Sequence, residues 1–429
     1  MPEPKITNAL ERDGVHLDVE CGGLACEVIV ASPRWVVNGV NVFSENLVRG
    51  LSARGVKAHL LITGSNEGDA KLMPLPRDIR VHHLPVENRR SWWTRWNCMI
   101  DYLKDRAPCI YIPNHDYEYS CVAPALPRNV GVVGVVHSDD PQHYAHAHHL
   151  GRFWNATVAV SQSIAENLAS SEPALAKRMR VIHHGVPAEP ELRWPRLDGS
   201  SPLRIVYVGR LVEQPKRVFD LPRIMEALER RGVPATLTVV GGGKDRRALE
   251  SLASPCVERG AIRFAGILSN SEITRELRDH DALILTSEYE GFPLAVLEAM
   301  AWGCIPVVTA IRSGIPELVR DGDNGYVVGV GDIETFAERL AELQRDAQLR
   351  EQLSQRAFGT LHEGGFTAEA MTDRYLDLFH GIAKELSDGA FQRPSGRIKA
   401  LPWARPSWKD RLNQSIRCTL AKAKALMKN

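Results

Sequence analysis

The 429-residue sequence has no apolar run of the length that crosses a lipid bilayer. A spanning helix needs about 20 mostly apolar residues, so no transmembrane helix is predicted. The first residues are polar and acidic, and they lack the basic start and the apolar core of a secretory signal. We therefore expect a cytoplasmic protein, either free or peripheral on the inner face of a membrane.

Cysteines are sparse and never closely paired. The eight cysteines stand singly, without a CxxC motif. This pattern fits reduced thiols in a cytoplasmic enzyme better than a disulfide framework. Hydrophobic residues make up 44 % of the chain and charged residues 24 %, which excludes a mostly disordered chain or a collagen-like fibre.

Net charge is almost absent overall but is unevenly placed. Lys and Arg number 53 against 52 Asp and Glu, a net charge of +1 that argues against a general nucleic-acid binder. From Arg393 to Asn429, however, ten basic residues accompany one acid, so this tail carries +9 and residues 1–392 carry −8. A body of one sign with a tail of the other indicates a binding partner.

The tail also has a helical pattern. Apolar side chains recur at helical spacing from Trp408 to Met427, with Lys and Arg on the other faces. A basic amphipathic helix can lie on an anionic membrane, so residues 393–429 predict contact with a membrane surface. Two alternatives stay open: a disordered basic tail, and a helix that packs on its own domain.

Short apolar runs alternate with helical patterns along the chain, which predicts an α/β fold. The first series of predicted strands is Cys26–Ser32, Ala58–Thr63, Cys109–Ile112, Val130–Val136 and Thr157–Val160. A second series is predicted at Arg204–Val208, Thr236–Val240, Ile262–Ala265, Ala282–Thr286 and Ile305–Val308, with a helix at Asp220–Arg230. A Pro-rich connector lies between the two series, as expected of a linker.

Two Rossmann-like domains that face each other across a cleft account best for this order. The expected divisions are a lead-in over 1–24, an N-terminal domain over 25–188, a linker over 189–202, a C-terminal domain over 203–365, a helix over 366–390 that returns to the N-terminal domain, and the basic tail over 391–429. Ligands of such sheets bind at the carboxyl ends of the strands.

Charged side chains follow two strands of the second series. Arg210 comes directly after a strand and a glycine, and Lys216 lies six residues further on. Two fixed cations at this place could neutralise a diphosphate without a metal. A solvated loop arginine and a surface lysine are the alternative for either residue alone.

The segment from Ser287 to Met300 adds two carboxylates, Glu290 and Glu298. Pro293 suits a first helical position, which would leave the N–H groups of Gly291, Phe292 and Leu294 free to receive an anion. With Glu290 in the loop and Glu298 on the helix, the carboxylates would address different parts of one ligand. An amphipathic helix with a solvated Glu298 remains the alternative.

In combination these motifs resemble the retaining glycosyltransferases of family 4, which have the GT-B fold. The resemblance spans roughly residues 180 to 340 and rests, in order, on Gly209-Arg210 with Lys216, Gly241-Gly242-Gly243, Phe264-Ala265-Gly266, Glu290-Gly291-Phe292-Pro293 with Glu298-Ala299-Met300, Gly303-Cys304-Ile305-Pro306, Gly314-Ile315-Pro316-Glu317 and Asn324-Gly325. The N-terminal half is similar in outline, with Asn38-Gly39, Val135-Val136-His137-Ser138-Asp139 and Val160-Ser161.

The resemblance implies a role for each matching residue. Arg210 and Lys216 would bind the diphosphate of a nucleotide-sugar donor, Glu290 and His137 would face the transferred sugar, and Glu298 would hold the ribose. The remaining donor contacts would come from Gly39, Gly266, Ile267, Gly291, Phe292, Pro293 and Leu294. The acceptor would be a hydroxyl of a glycan or of a lipid-linked glycan in polysaccharide or lipopolysaccharide synthesis. Three places depart from the family: His183-His184 stands where Pro-Asn is usual, Asn38 replaces a glycine, and Arg217 follows Lys216.

Neither a metal nor a cofactor is expected. Asp321-Gly322-Asp323 could hold a metal, but a turn is favoured there, and the histidines between His143 and His149 fit a polar helix face better than a zinc site. Two other functions stay open: a sugar-nucleotide epimerase of the same two-domain fold, and a nucleotide-sugar-binding protein without turnover.

Overall fold

The computed structural model describes residues 24–36, 38–64, 75–86, 90–188 and 202–403. The strands of the N-terminal half are β1 (Glu27–Ser32), β2 (Ala58–Ile62), β3 (Val81–His83), β4 (Cys109–Ile112), β5 (Val130–Val136), β6 (Ala156–Ala159) and β7 (Met179–Val181). The described strands pair in parallel in the order β3-β2-β1-β4-β5-β6-β7. Because helices cover both faces of such a sheet, the central strands are mostly apolar and are buried along their whole length.

Helices connect these strands, and side-chain caps fix where several of them begin. They are α1 (Gly39–Ala53), α2 (Trp92–Lys104), α3 (Pro141–Leu150), α4 (Gln162–Ser171) and α5 (Pro173–Ala176). Asn38, Ser91, Asp140 and Ser161 each accept a backbone N–H in the first turn that follows. These caps satisfy donors that the helix itself cannot satisfy.

The C-terminal half repeats the plan with a parallel sheet in the order β10-β9-β8-β11-β12-β13. Its strands are β8 (Leu203–Val208), β9 (Ala235–Val240), β10 (Ile262–Gly266), β11 (Ala282–Leu285), β12 (Ile305–Thr309) and β13 (Tyr326–Val328). Its helices are α6 (Glu213–Lys216), α7 (Asp220–Arg230), α8 (Arg246–Leu252), α9 (Ser254–Glu258), α10 (Asn270–Asp279), α11 (Leu294–Met300), α12 (Ile315–Leu318), α13 (Ile333–Arg345) and α14 (Ala347–Glu363). No helix in the described ranges is both long and apolar enough to cross a membrane.

The last helix of the described ranges, α15 (Ala368–Asp388), leaves the C-terminal half and packs on the N-terminal sheet. Its first turn is joined to the end of the N-terminal half, because the N–H of Val186 donates to Phe366 and the N–H of Ala368 donates to Val186. On β5, Gly131 leaves room for Ile382, since a Cβ added there would lie 2.8 Å from its side chain. α15 therefore completes the packing of the N-terminal domain, although it follows the C-terminal domain in the sequence.

The predicted strands lie within one or two residues of the observed ones, and the differences are at the sheet edges. β3 and β7 were not predicted, because each has only three residues and lies at an outer edge of the sheet with exposed positions. Pro293 is also corrected. It precedes α11 as its cap with an extended backbone (φ −74°, ψ 102°) rather than occupying the first helical position. Residues 189–201 of the predicted linker lie outside the described residues.

The segment after α15 is fastened to the N-terminal domain through Arg393. Its Nε donates to the carbonyl of Phe153 (3.0 Å), Nη1 donates to Leu126 (3.0 Å) and Pro127 (2.9 Å), and Nη2 donates to Val130 (2.6 Å). Burial lowers the pKa of Arg393 to about 10, so the guanidinium is still charged at neutral pH. The arginine thus donates to four backbone carbonyls at once, of which that of Pro127 also accepts the N–H of Val130.

The predicted start of the tail is therefore corrected. Residues 390–401 have no helix or strand, but Phe391 and Leu401 are buried and Arg393 is a structural residue. The basic tail can begin no earlier than the end of this packed segment. Residues 404–429, with the predicted amphipathic helix, lie outside the described residues.

Replacing Arg393 by alanine should destabilise the fold by about 2–4 kcal/mol, because several partly buried carbonyls lose a charged donor at once. Urea denaturation followed by circular dichroism measures this change. The matched control is Arg397→Ala, four residues along the same segment, where the side chain is exposed. Equal stability of the two variants would contradict the structural role of Arg393.

Candidate functional site

His137 follows β5 at the edge of the sheet that faces the C-terminal half. Its Nε2 lies 3.0 Å from Oδ1 of Asn114, and its side chain is almost fully buried. The amide nitrogen of Asn114 donates to the carbonyl of Ala31 (2.9 Å), so Oδ1 is the acceptor and His137 Nε2 carries the proton. Burial and then the neighbouring His184 hold the pKa of His137 well below its usual range. The ring is neutral, with Nδ1 as an unprotonated acceptor.

Asn114 is a site residue that the sequence analysis missed. It adopts a left-handed backbone (φ 49°) two residues after the end of β4, a conformation that asparagine tolerates better than most residues. Its amide nitrogen also donates to Ser44 Oγ on α1 (3.1 Å). Asn114 therefore joins β1, α1 and His137. The turn signal Pro113-Asn114 at the end of a predicted strand could have indicated it.

Lys216 and Glu290, which were assigned to different parts of the ligand, form an ion pair. Lys216 Nζ donates to Oε1 of Glu290, and Oγ of Ser287 donates to the same oxygen (2.6 Å). The hydroxyl of Thr286 donates to the carbonyl of Lys216 (2.8 Å). The loop after β11 therefore holds α6 against it. Only 14 % of either charged side chain is exposed, so their attraction is poorly screened by water.

Arg210 differs from Lys216 in that its guanidinium is exposed at the end of β8. Among the described residues no hydrogen bond or ion pair to that guanidinium is found. β8 lies beside β11 in the sheet, so Arg210 and the Lys216–Glu290 pair lie at neighbouring strand ends. One unpaired and one paired cation therefore occupy the place where a parallel sheet binds its ligands.

Glu298 lies on α11 with part of its surface accessible. Within the described ranges its carboxyl has no hydrogen-bond or ion-pair partner. Burial alone raises the pKa of Glu298 to about 7. A half-buried acceptor without a partner is costly unless a ligand supplies donors, which distinguishes Glu298 from a solvated helix residue.

Glycines bring the strand ends of the C-terminal sheet close together. Gly241 and Gly266 both have positive φ (137° and 78°), and the N–H of Gly241 donates to the carbonyl of Gly266 (2.7 Å). A Cβ added to Gly242 would lie 2.9 Å from the side chain of Ile267, which is 45 % exposed. Gly266 and Ile267 thus border the same edge as Arg210, and the exposed isoleucine offers an apolar surface there.

Backbone contacts join the two halves at the site. Gly291 lies so close to His137 that a Cβ added to the glycine would be 1.9 Å from the His137 carbonyl oxygen, and Ser138 and Gly291 form an antiparallel bridge. Gly39, the first residue of α1, faces Leu294, whose Cδ1 would lie 3.3 Å from an added Cβ. The structure therefore brings Gly39, His137, Gly291 and Leu294 together across the cleft.

A second contact between the halves involves residues that were noted only as departures from the family pattern or as part of a motif. Nε2 of His183 lies 2.6 Å from Oε2 of Glu317, and the N–H of Gln162 donates to Oε1 of the same carboxylate (2.8 Å). Phe292 packs against the ring of His183 at 4.8 Å. His183 therefore serves as an interdomain contact.

The two candidate metal motifs are dispersed in the structure. Asp321 accepts the N–H of Val327 (2.9 Å), whereas Asp323 pairs with Arg320 and Arg356. In the part of the chain that is described, no three His, Cys, Asp or Glu side chains are grouped to hold a metal ion.

The raised pKa of Glu298 predicts a pH-dependent stability difference. The folded state keeps a proton that the unfolded state releases near pH 4.5, so this contribution is complete below about pH 4.5 and is lost as the pH rises through about 7. The Glu298→Gln variant does not lose this contribution to stability, because its amide does not titrate. The melting temperature of the variant relative to the unaltered protein should therefore rise between pH 4.5 and 8, by the equivalent of about 1–3 kcal/mol. A difference that does not change with pH would contradict the assignment.

Comparison with solved structures identifies the fold. Sucrose-phosphate synthase from Thermosynechococcus elongatus superposes with a TM-score of 0.68 at 17 % identity, over 83 % of this chain and 99 % of that chain. HepE from Anabaena, in complex with UDP and glucose, superposes with a TM-score of 0.67 at 15 % identity, over 83 % and 100 %. These neighbours have the GT-B fold, so the predicted fold class is confirmed.

Sequence relatives match mainly over part of the chain. The lipopolysaccharide core biosynthesis glycosyltransferase LpsE of Rhizobium meliloti is 34 % identical over 175 residues, 41 % of this chain and 48 % of that protein. The amylovoran biosynthesis glycosyltransferase AmsK of Erwinia amylovora is 30 % identical over 178 residues, 40 % and 43 %. The chain therefore matches less than half the length of these curated relatives.

Two family models match adjacent parts of the sequence. The model described as Glycosyltransferase Family 4 matches residues 37–190, and the one described as Glycosyl transferases group 1 matches residues 189–359. Their common boundary lies in the predicted linker, and together they include every site residue discussed above. The chain belongs to the group 1, family 4 glycosyltransferases.

Proposed function

We propose that the protein is a retaining glycosyltransferase that moves a sugar from a nucleotide-sugar donor to a hydroxyl of a glycan or lipid-linked glycan. The observation that carries the proposal is the contact of Gly291 with the His137 carbonyl. It places the loop with the Lys216–Glu290 pair directly opposite the end of β5. Residues of both halves would then enclose one ligand, as transfer between two substrates requires.

Arg210 and Lys216 would stabilise the departing diphosphate. Breaking the bond between sugar and phosphate moves negative charge onto the diphosphate, and positioned cations lower the energy of that state. Arg210 has no partner to give up among the described residues, whereas Lys216 would share its charge between Glu290 and the ligand. No metal is needed in this scheme, since the two side chains supply the positive charge.

The sugar would lie between Glu290 and His137. Cationic character develops at the anomeric carbon as the diphosphate leaves, and a neutral imidazole does not oppose it. The carboxylate of Glu290 can accept a sugar hydroxyl, whereas Nδ1 of His137 is buried and has no hydrogen-bond partner among the described residues. Glu298, further along α11, has an accessible carboxyl suited to the hydroxyls of the nucleotide ribose, and Ile267 offers an apolar surface to the base.

Retention of configuration would follow from the face on which the acceptor attacks. The acceptor hydroxyl would approach the anomeric carbon on the side that the diphosphate leaves, and a diphosphate oxygen would take its proton. The contacts between the halves at Gly291 and at His183 would exclude water, which would otherwise hydrolyse the donor.

The class of acceptor is supported by the relatives. LpsE is named for lipopolysaccharide core synthesis and AmsK for amylovoran synthesis. A growing glycan, free or lipid-linked, is therefore the proposed acceptor. Because such acceptors lie at a membrane, the basic residues of the C-terminal tail would hold the enzyme on the inner, anionic membrane face.

Lys216→Ala should lower kcat for transfer by roughly 10²–10³-fold, because the departing diphosphate loses one fixed cation. Lys384→Ala is the matched control, since Lys384 is an exposed lysine on α15, and it should leave kcat unchanged. Release of UDP, GDP or ADP from a panel of nucleotide-sugars in the presence of acceptor measures the rate. Turnover of Lys216→Ala at the normal rate would refute the assignment.

Truncation tests the role of the tail in membrane binding. Removing residues 404–429 deletes seven basic residues and one acid but spares the packed Arg393 segment. We expect weaker sedimentation with vesicles that contain phosphatidylglycerol, a loss that high salt reproduces in the intact protein. Vesicles of phosphatidylcholine are the control. Undiminished sedimentation of the shortened protein with anionic vesicles would discard the membrane proposal.

A further inference from the structure

A groove of about 850 Å³ lies on the N-terminal domain, apart from the interdomain cleft. β3 supplies one wall through His82 and His83. The other wall comes from Trp93, Asn97 and Asp101 on α2 and from Asp105, which caps the end of that helix. No residue assigned to donor binding or transfer lines it. Its volume lies in the range of small-molecule sites in proteins.

The wall formed by α2 is a single stripe of the helix. Trp93, Asn97, Asp101 and Asp105 recur every fourth residue, so they follow one another along the same face. The opposite face of α2 is buried in the core and includes Met99. Because folding alone requires only that buried face, the groove face is free to serve another purpose.

Trp93 is the most unusual member of this face, since 48 % of its surface is exposed. Large aromatic side chains usually bury most of their surface. An exposed indole at the side of a groove offers a flat apolar platform. The amide nitrogen of Asn97 donates to the Trp93 carbonyl (2.8 Å), which leaves the amide oxygen to accept from a ligand.

A chain of hydrogen bonds fixes the protonation of the opposite wall. His59 lies 3.0 Å from the Glu27 carboxylate through Nδ1 and 2.8 Å from the Tyr102 hydroxyl through Nε2. His82 Nδ1 lies 2.8 Å from the same hydroxyl. Burial lowers the pKa of His59 to about 4, so the ring is neutral and its one proton lies on Nδ1, toward the carboxylate.

The hydrogen bonds of this series therefore all point in one direction, from His82 through Tyr102 and His59 to Glu27. The Tyr102 hydroxyl donates to His59 Nε2 and accepts from His82 Nδ1, so Nε2 of His82 is an unprotonated acceptor. Burial, followed by the charge of Arg106, lowers the pKa of His82 and keeps it neutral. Arg106 itself stacks on the Tyr102 ring at 3.7 Å.

The charge of the groove excludes several classes of ligand. The carboxylates of Asp101 and Asp105 are exposed, and within the described ranges neither has an ion-pair partner. Arg106 also lines the groove, but its guanidinium stacks on the Tyr102 ring, and the described lining residues with two aspartates and one arginine keep a net negative charge. Phosphate, sulfate and nucleic acid are disfavoured by that charge. What remains is an uncharged ligand with many hydroxyl donors for carboxylate, amide and imidazole acceptors, and with an apolar face for the indole. A pyranose chain has all of these properties.

We propose that the groove between β3 and α2 binds an uncharged oligosaccharide segment, as a second saccharide site apart from the donor cleft. β3 lies four strands from β5 in the described sheet, a separation of about 19 Å at about 4.8 Å per strand. His83 ends β3, and His137 follows β5, at the same edge of the sheet. A long glycan acceptor could reach from the groove to the donor cleft, and this link between the two sites rests on the proposed function. The binding of an oligosaccharide in the groove does not depend on it.

The test is an array of uncharged and sulfated oligosaccharides of up to six sugar units, probed with the full chain. We expect the protein to retain at least one uncharged oligosaccharide, with about tenfold weaker retention for Trp93→Ala and for Asp101→Ala. Leu252→Ala is the control, because it removes a similarly exposed apolar side chain (45 %) from the C-terminal domain. It should bind as the unaltered protein does.

Three results would overturn the proposal: no retained uncharged oligosaccharide, retention only of sulfated ones, or undiminished retention by Trp93→Ala. Thermal shifts with UDP-, GDP- and ADP-sugars are measured on the same proteins, and Trp93→Ala should keep the normal shift. Absence of every nucleotide-sugar shift in the unaltered protein would contradict the proposed transferase, whereas the array result decides the groove independently.

Discussion

The approach of Gly291 to the carbonyl of His137 sets the relation of the two domains at the site. Any side chain at position 291 would occupy the space of that oxygen, so the contact requires glycine. The next residue toward the N-terminus is Glu290, which is paired with Lys216, and the next residues toward the C-terminus lead to Leu294 opposite Gly39. The close contact at Gly291 therefore positions both the Lys216–Glu290 ion pair and the apolar contact of Leu294 with Gly39.

Electrostatics divides the cleft into two unlike sides. The N-terminal domain contributes a buried, neutral histidine whose proton position is fixed by Asn114. The C-terminal domain contributes the exposed Arg210, the ion-paired Lys216 and the carboxyl of Glu298, whose pKa burial raises to about 7. Fixed positive charge thus lies where a diphosphate would develop its own charge, whereas His137 on the opposite side is neutral. This difference suits the proposed transfer, because positive charge is needed at the leaving group and not at the anomeric carbon.

Much of this architecture could be predicted from the sequence, because central parallel strands are continuous apolar runs. β4 and β5 were predicted to the residue, since both are buried from end to end. β3 and β7 were not, because short edge strands lack that signal. Most of the candidate site residues were named through the resemblance to the family, whose motifs follow strands in a recognisable order. The Lys216–Glu290 pair could not, since the two residues lie 74 positions apart and their meeting depends on adjacent strands.

Sequence reasoning also failed where tertiary contacts override local character. Arg393 was counted as one of many basic tail residues, yet it is the one that backbone carbonyls of the N-terminal domain surround. His183 looked like a departure from the family pattern, although its contact with Glu317 gives it a structural purpose. In both cases the partner lies in a distant part of the chain, and spacing along the sequence carries no information about it.

The packing of α15 on the N-terminal sheet affects when that domain can fold during synthesis. Ile382 packs against Gly131 of β5, and Arg393 donates hydrogen bonds to nearby backbone carbonyls, among them that of Val130. A ribosome that has completed only the first half of the chain has not yet made these residues. The core of the N-terminal domain is therefore complete only after α15 and the segment with Arg393 have been synthesised. A gene cut between the two domains would encode a first half that lacks part of its own interior.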